Sequence, residues 1–358
     1  MKNGMIEVLR FIFSIGIIVF HAQQLYGRPI GNENFLLFGG FAIGVEFFFV
    51  VSGYFLAKAA VKRREQTFSE GEVGKISFEY VLHKYRSIFP YHFFAFIASF
   101  TTVILITKSN FFEMLQKLIL AVPDFFLINL SGIVSTDVND KEWYIAAMLF
   151  AILLLYPMLI KNYNLTSYVM IPILSLSLLG IISMTGESFS RVRDWILITY
   201  KGQLRGIAEI GCGVICYNLS DFLKSKEFTK FGKRLLFSIE IMIYVLVIFF
   251  GNLKMNTSGY YAPFVLLLTI AIAITFSEIT LTKKLKGNKI CVCLGALSLS
   301  LYLNQAYCLE LIQTYGTSYS NTEKVIYCTG LSVICGLICK LVVDWIKKKP
   351  IHITTNHT

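Results

Sequence analysis

The chain has 358 residues and a formal net charge of +11, yet only 15% of its residues are charged and 55% are hydrophobic. A soluble domain carries roughly a quarter charged residues, so this composition, with a mean hydropathy of +0.64, excludes an ordinary soluble enzyme. The basic residues form short clusters between apolar runs (Lys62-Arg63-Arg64, Lys283-Lys284, Lys347-Lys348-Lys349) rather than one patch. Positive-inside topology produces that pattern, and nucleic acid is excluded as a partner.

In chain order, apolar runs of bilayer length fall at roughly 5–24, 40–60, 88–107, 142–160, 167–184, 203–220, 235–251, 260–278, 290–313 and 324–346. The expected fold is all-α, a polytopic transmembrane bundle of about ten helices with both termini cytoplasmic. It forms a single membrane domain over 1–358, with a helical core of about 5–346 and a short tail, 347–358. The first run is read as a retained helix, because the residues after His21 offer no small-x-small cleavage site. The stretch 111–131 carries Glu113, Lys117, Pro123 and Asp124 and reads as an interfacial helix. Leaving it out of the count puts the connections 61–87, 221–234 and 279–289 on the cytoplasmic side with the lysine clusters. All eight cysteines lie inside expected spans. Without His or acidic partners at ligand spacing they read as packing residues, so neither disulfides nor a metal is expected.

Charges at membrane depth are costly and face a cavity or a partner, so the few present are informative. Arg10 and His21 are eleven residues apart, which places them on one helix face ~16 Å apart along the axis. Glu7, Ser14 and Gln24 share that side, and the bland alternative is a polar stripe packed against other helices. Glu46 stands among phenylalanines in GVEFFFVVSGYFL, with Gly39 and Gly40 starting its helix only near Ile43. That brings Glu46 near the depth of His21, where a carboxylate can fix an imidazole tautomer; a salt bridge to Arg205 is the competing reading. Arg205 and Glu209 stand at i and i+4, with Gly206, Gly211 and Gly213 permitting close helix approach. An ion pair explains them, and a role for Arg205 in holding an anionic or sugar group stays open. Ser298, Tyr302 and Gln305 align on one face of the ninth run, where such groups line sugar pockets or join helices equally well.

These residues together resemble the acyltransferase-3 family of integral membrane O-acyltransferases. Arg10 and His21 reproduce its Arg-x10-His motif, and Glu46 with Ser52-Gly53 matches its second-helix signature. KYRSIFPYH (84–92) is similar to its basic segment ending in Pro and Tyr. EWYIAAMLFAILLLYP (142–157) looks like its Trp-containing helix, and RGIAEIGCG and LSLSLYLNQ resemble its later segments. The resemblance runs from about residue 5 to 346. Two positions depart from it: Ser87 stands where the family often has Arg, with Arg86 one residue earlier, and Gln305 stands where it often has His. The extracytoplasmic SGNH-type domain fused to some members is also missing.

The resemblance implies transfer of an acyl group, commonly acetyl from cytoplasmic acetyl-CoA, to a hydroxyl of a carbohydrate or cell-envelope molecule. The bilayer in question is the plasma or inner membrane. No metal is implied, and a second transfer step, if there is one, belongs to a separate extracytoplasmic protein. His21 acts as general base or acyl carrier, and Glu46 orients it. Arg10 serves catalysis or, at its ~16 Å separation, the pantetheine arm. Arg63, Arg64, Lys84 and Arg86 hold the nucleotide phosphates, ordinary topology signalling being the alternative. Trp143, Arg205, Tyr302 and Gln305 face the acceptor. Two other classes compete: a multi-pass exporter of a sugar or small metabolite, and a non-catalytic relative suggested by Gln305.

Overall fold

The computed structural model describes residues 1–27, 31–32, 35–36, 39–130, 138–185, 191–196, 198–252 and 258–348. The tail 349–358 therefore lies outside the described residues. Twelve helices of ten residues or more account for most of the rest. They are α1 Gly4–Tyr26, α2 Gly44–Arg64, α3 Val73–Thr107, α4 Phe111–Leu120, α5 Trp143–Lys161 and α6 Ile171–Met184. The second half holds α7 Lys201–Lys224, α8 Lys230–Asn252, α9 Ser258–Ser277, α10 Lys289–Leu303, α11 Gln305–Tyr315 and α12 Asn321–Lys348. Strand structure among the described residues is confined to two ladders of two residues per strand.

Local chemistry sets the helix ends. Asn3 caps α1 by accepting from the Ile6 amide, and Gly27, at φ 94°, ends it. The paired glycines delay the second helix as expected: a 3-10 turn covers Gly39–Ile43 and α2 starts at Gly44. Its last turn carries Lys62, Arg63 and Arg64, where cations complement the exposed carbonyls. Asn110 and Glu113 form a capping box on α4. With ten residues α4 is too short to cross a bilayer, and it exposes Phe111, Phe112, Leu118 and Ile119.

Seven helices are long and apolar enough to cross a membrane on their own, and the bent pair α10–α11 makes an eighth. The protein is thus a multi-pass membrane protein, but length and composition among the described residues stop short of the ten spans expected. Helices stand at all ten places; α7 and α8 are the two that do not qualify. For α7 the packing supplies the reason. It contacts α2, α5, α6 and α9, and its residues from Lys201 to Val214 are all buried. A helix enclosed by other helices does not meet lipid, so Lys201, Arg205 and Glu209 are tolerated where protein partners surround them.

The close approach of α2 and α7 depends on one pair of glycines. A Cβ at Gly53 would fall on the Ile210 carbonyl oxygen and lie 2.8 Å from the Gly213 Cα. Backbone on both sides leaves nothing that can turn aside. Gly53→Ala is expected to push the helices apart and cost about 1–3 kcal/mol, read as a lower unfolding temperature in detergent.

The ninth apolar run is not one helix. It breaks at Asn304, and α10 and α11 meet at 54°. Helices kink where side chains replace the main-chain ladder. Here the Asn139 amide donates to the Leu303 carbonyl at 3.0 Å and the Asn304 amide to the Ser300 carbonyl at 2.7 Å. The Tyr307 hydroxyl donates to Asn304 Oδ1 at 3.0 Å. Gln305 opens the second segment instead of continuing the face of Ser298 and Tyr302.

Candidate active site

The polar stripe of α1 runs along α10 and α11. Glu7 packs against Gly295, the Ser14 hydroxyl donates to the Arg10 and Ser298 carbonyls at 2.9 and 3.1 Å, and the Tyr26 hydroxyl donates to the Leu309 carbonyl at 2.6 Å. Glu7 and Ser14 therefore join helices, as the structural reading of the stripe allowed. His21 stands between these contacts, where the break in the partner helix gives it a side-chain ligand.

His21 Nδ1 lies 2.8 Å from Gln305 Oε1. The Gln305 amide nitrogen donates to the Tyr302 carbonyl at 2.8 Å, and a carbonyl can only accept. That fixes the amide orientation, so the atom facing His21 is an oxygen and Nδ1 must carry the proton. The lone pair is left on Nε2, which has no hydrogen-bond partner among the described residues. An imidazole with one nitrogen anchored and the other open is arranged to take a proton. Lys141 and Asp140 lie within electrostatic reach of the ring, and Lys141 Nζ pairs with Asp140 Oδ2 at 2.6 Å.

The expected partnership of Glu46 with His21 is corrected here. Glu46 Oε1 accepts from Arg205 Nη2 at 2.5 Å, and Arg205 Nε reaches Glu209 Oε1 at 3.1 Å and the Tyr261 hydroxyl at 3.2 Å. The Tyr261 hydroxyl also donates to Glu209 Oε1, and the guanidinium lies 5.0 Å from the Trp143 ring centroid. This is a buried ion cluster that fastens α2, α5, α7 and α9 together. Trp143 belongs to the same cluster and is also buried.

Three consecutive residues at the start of α5 fan out to three neighbours, as the 100° step of a helix requires. Glu142 Oε1 meets His92 Nδ1 of α3 at 2.8 Å, both side chains being 0% exposed. Trp143 faces Arg205, and Tyr144 meets Ser52, Phe49 and Tyr302. His92 Nε2 donates to the Phe125 carbonyl at 2.9 Å, and the Asn139 amide holds Glu142 Oε1 at 3.1 Å. The Tyr302 hydroxyl donates to the Lys141 carbonyl at 2.6 Å. A continuous chain of contacts thus leads from His92 through Glu142 and Asn139 to the helix break that seats Gln305. His92, Glu142, Asn139 and Lys141 were not singled out in the sequence.

The cations sort differently from their spacing. Arg10 pairs with Glu7 at 3.3 Å and lies within electrostatic reach of Lys84 and Tyr144. Lys84 Nζ lies 5.8 Å from the ring centroid of Tyr80, which stacks on Tyr156 at 4.2 Å. Arg63 lies over Phe68 at 5.2 Å, bonds Gln66 and acts on Tyr156. Pairwise contacts and electrostatic reach thus link Arg63, Tyr156, Tyr80, Lys84, Arg10 and Tyr144 in one track. Arg86 is exposed on the opposite side of α3 from this track and does not join it. Arg64 borders a cavity of about 360 Å3 with Glu65, Lys161 and the same Gln66 and Phe68 that Arg63 contacts. The shift of charge from position 87 to 86 thus leaves Lys84 as the inward cation of that segment.

No curated protein and no solved structure matches the chain. Residues 3–343, nearly its whole length, match the acyltransferase-3 family, described as an acyltransferase domain. The helical bundle and the Arg10–His21 helix fit that assignment, and the chain belongs to the acyltransferase-3 family as a multi-pass membrane acyltransferase.

Proposed function

We propose that the protein transfers an acyl group, acetyl being the first candidate, from cytoplasmic acyl-CoA to a hydroxyl of a carbohydrate or cell-envelope molecule. The observation that carries this reading is His21 with Nδ1 tied to Gln305 and Nε2 open. Nε2 takes the proton of the acceptor hydroxyl as its oxygen attacks the thioester carbonyl. The tetrahedral adduct then expels the coenzyme thiolate, which receives that proton from the imidazolium. Lys141, close enough to act on His21, is placed to favour the negative charge of the adduct.

Donor entry is assigned to the track of Arg63, Lys84 and Arg10, whose cations suit phosphates and the polar pantetheine arm. On the topology expected from the lysine clusters, with both termini cytoplasmic, that track belongs to the cytoplasmic end and His21 lies toward the opposite face of the plasma or inner membrane. Gln305 replaces Glu46 as the orienting residue, a neutral amide that fixes the tautomer without adding charge. The buried Arg205 cluster is assigned a structural role, and Trp143 with it. Tyr302 acts on the site by holding Gln305 and Lys141.

Coenzyme A binding to the purified protein, followed by calorimetry, tests the donor assignment. Wild type is expected to bind, and Lys84→Ala combined with Arg10→Ala to weaken binding about 10-fold or more. Absence of binding by wild type would point to an exporter. Gln305→Leu is expected to lower turnover about 10- to 100-fold through loss of the tautomer, with KM for the donor unchanged. Gln305→His, which retains a ring nitrogen able to accept, is expected to keep most of the rate.

A further inference from the structure

At the lysine-rich end of the bundle, on the other face of α2 from Ser52, lies a second polar cavity of about 510 Å3. The first turns of α1, the last turns of α2 and the ends of α7 and α9 enclose it. Four lysines from four elements line it, Lys2, Lys58, Lys224 and Lys286, against two carboxylates, Glu7 and Glu278. Both carboxylates are already engaged. Glu278, held at a φ of 56°, takes Lys286 at 2.5 Å, and Glu7 is shared between Arg10 at 3.3 Å and Lys2 at 4.0 Å. Lys58 and Lys224 have no carboxylate within 4.0 Å among the described residues, yet they act on one another across the cavity. Partial burial pushes the Lys224 ammonium below its ordinary value, and Lys58 and Lys286 push the same way against Glu278 and Asp221. An adjoining cavity of about 520 Å3 shares Lys224 and Glu278 and adds Lys226, Lys233 and Lys283.

Lys58 and Lys224, both exposed and without a carboxylate within 4.0 Å among the described residues, border one half-open cavity that suits an anion, and the walls say what kind. Tyr54 and Phe276 stack at 3.6 Å, and Phe55, edge-on to Phe276, is 41% exposed on the outside of the bundle. Nearby ends of α7 and α8 expose Phe222 and Phe231 beside their lysines. Lysines alternating with exposed aromatic rings mark the layer where headgroups meet hydrocarbon. A ligand fitting both features has a phosphate for Lys58 and Lys224 and an alkyl chain that leaves along Phe55. The geometry points to a binding site for the phosphate of an anionic phospholipid in the leaflet at this end of the bundle. The site stands apart from the acyl-transfer chemistry and does not depend on the donor or acceptor assigned above.

The test is phosphatidylglycerol binding to the purified full chain in neutral detergent, counted by native mass spectrometry against phosphatidylcholine. Wild type is expected to retain phosphatidylglycerol selectively, and Lys58→Gln with Lys224→Gln to weaken it about 30-fold. Lys58→Arg with Lys224→Arg should keep the selectivity, and Lys75→Gln, an exposed lysine outside the cavity, should leave it unchanged. Unaltered unfolding temperatures in phosphatidylcholine establish that the variants are folded. Equal phosphatidylglycerol binding by wild type and the double glutamine variant overturns the proposal. So does a loss of coenzyme A binding in that variant with phosphatidylglycerol binding intact, which would make the cavity a nucleotide site.

Discussion

Arg205→Met is expected to destabilise the protein by about 3–5 kcal/mol, because it strands Glu46 and Glu209 as buried carboxylates with no counter-charge. Both have one oxygen, Oε2, without a hydrogen-bond partner even with the arginine present. Set against a typical total of about 5–15 kcal/mol, the loss removes a large part of the margin. It should appear as a sharp fall in unfolding temperature and in yield of folded protein. Arg205→Met with Glu46→Leu and Glu209→Leu is expected to recover part of the loss, since apolar replacement of a whole buried ion cluster is often neutral. A single variant with wild-type stability and impaired turnover would instead make Arg205 a substrate-binding residue.

His21→Ala is expected to lower turnover by about 10² to 10⁴, the range contributed by a positioned general base, with little effect on stability or coenzyme binding. Among the described residues the imidazole makes one side-chain hydrogen bond, to Gln305, and its removal leaves room for water at a half-buried position. The stronger signature is non-additivity. Gln305 works only through His21, so Gln305→Leu should cost nothing further once His21 is gone. Independent, multiplying losses would separate Gln305 from the imidazole and assign it to the acceptor.

The membrane fold was legible because hydropathy and lysine clusters report directly on lipid and topology. The family was legible because Arg10, His21, Glu46 and Ser52-Gly53 lie in short local motifs. What joins distant segments was not. Glu46 offered two partners at a similar depth, and periodicity along one helix cannot choose between His21 and Arg205; the α2–α7 crossing at Gly53 and Gly213 does. Asn304 was the one local sign that LSLSLYLNQ is interrupted, since asparagine competes with the helical backbone for hydrogen bonds. Treating the run as continuous hid the role of Gln305. His92 and Glu142 stand 50 residues apart, each in an apolar or loop-like context, and only the packing of α3 on α5 pairs them. Arg86 and Lys84 looked equivalent in a basic segment until helix rotation sent one outward and the other toward Arg10.

The most direct test is to mix purified protein in detergent with acetyl-CoA labelled in its acetyl group and follow the release of coenzyme and label. Wild type should release coenzyme, and His21→Ala should not, although both bind coenzyme A equally. Release at the same rate by both proteins, or no coenzyme binding by either, would contradict a His21-based acyl transfer from the coenzyme.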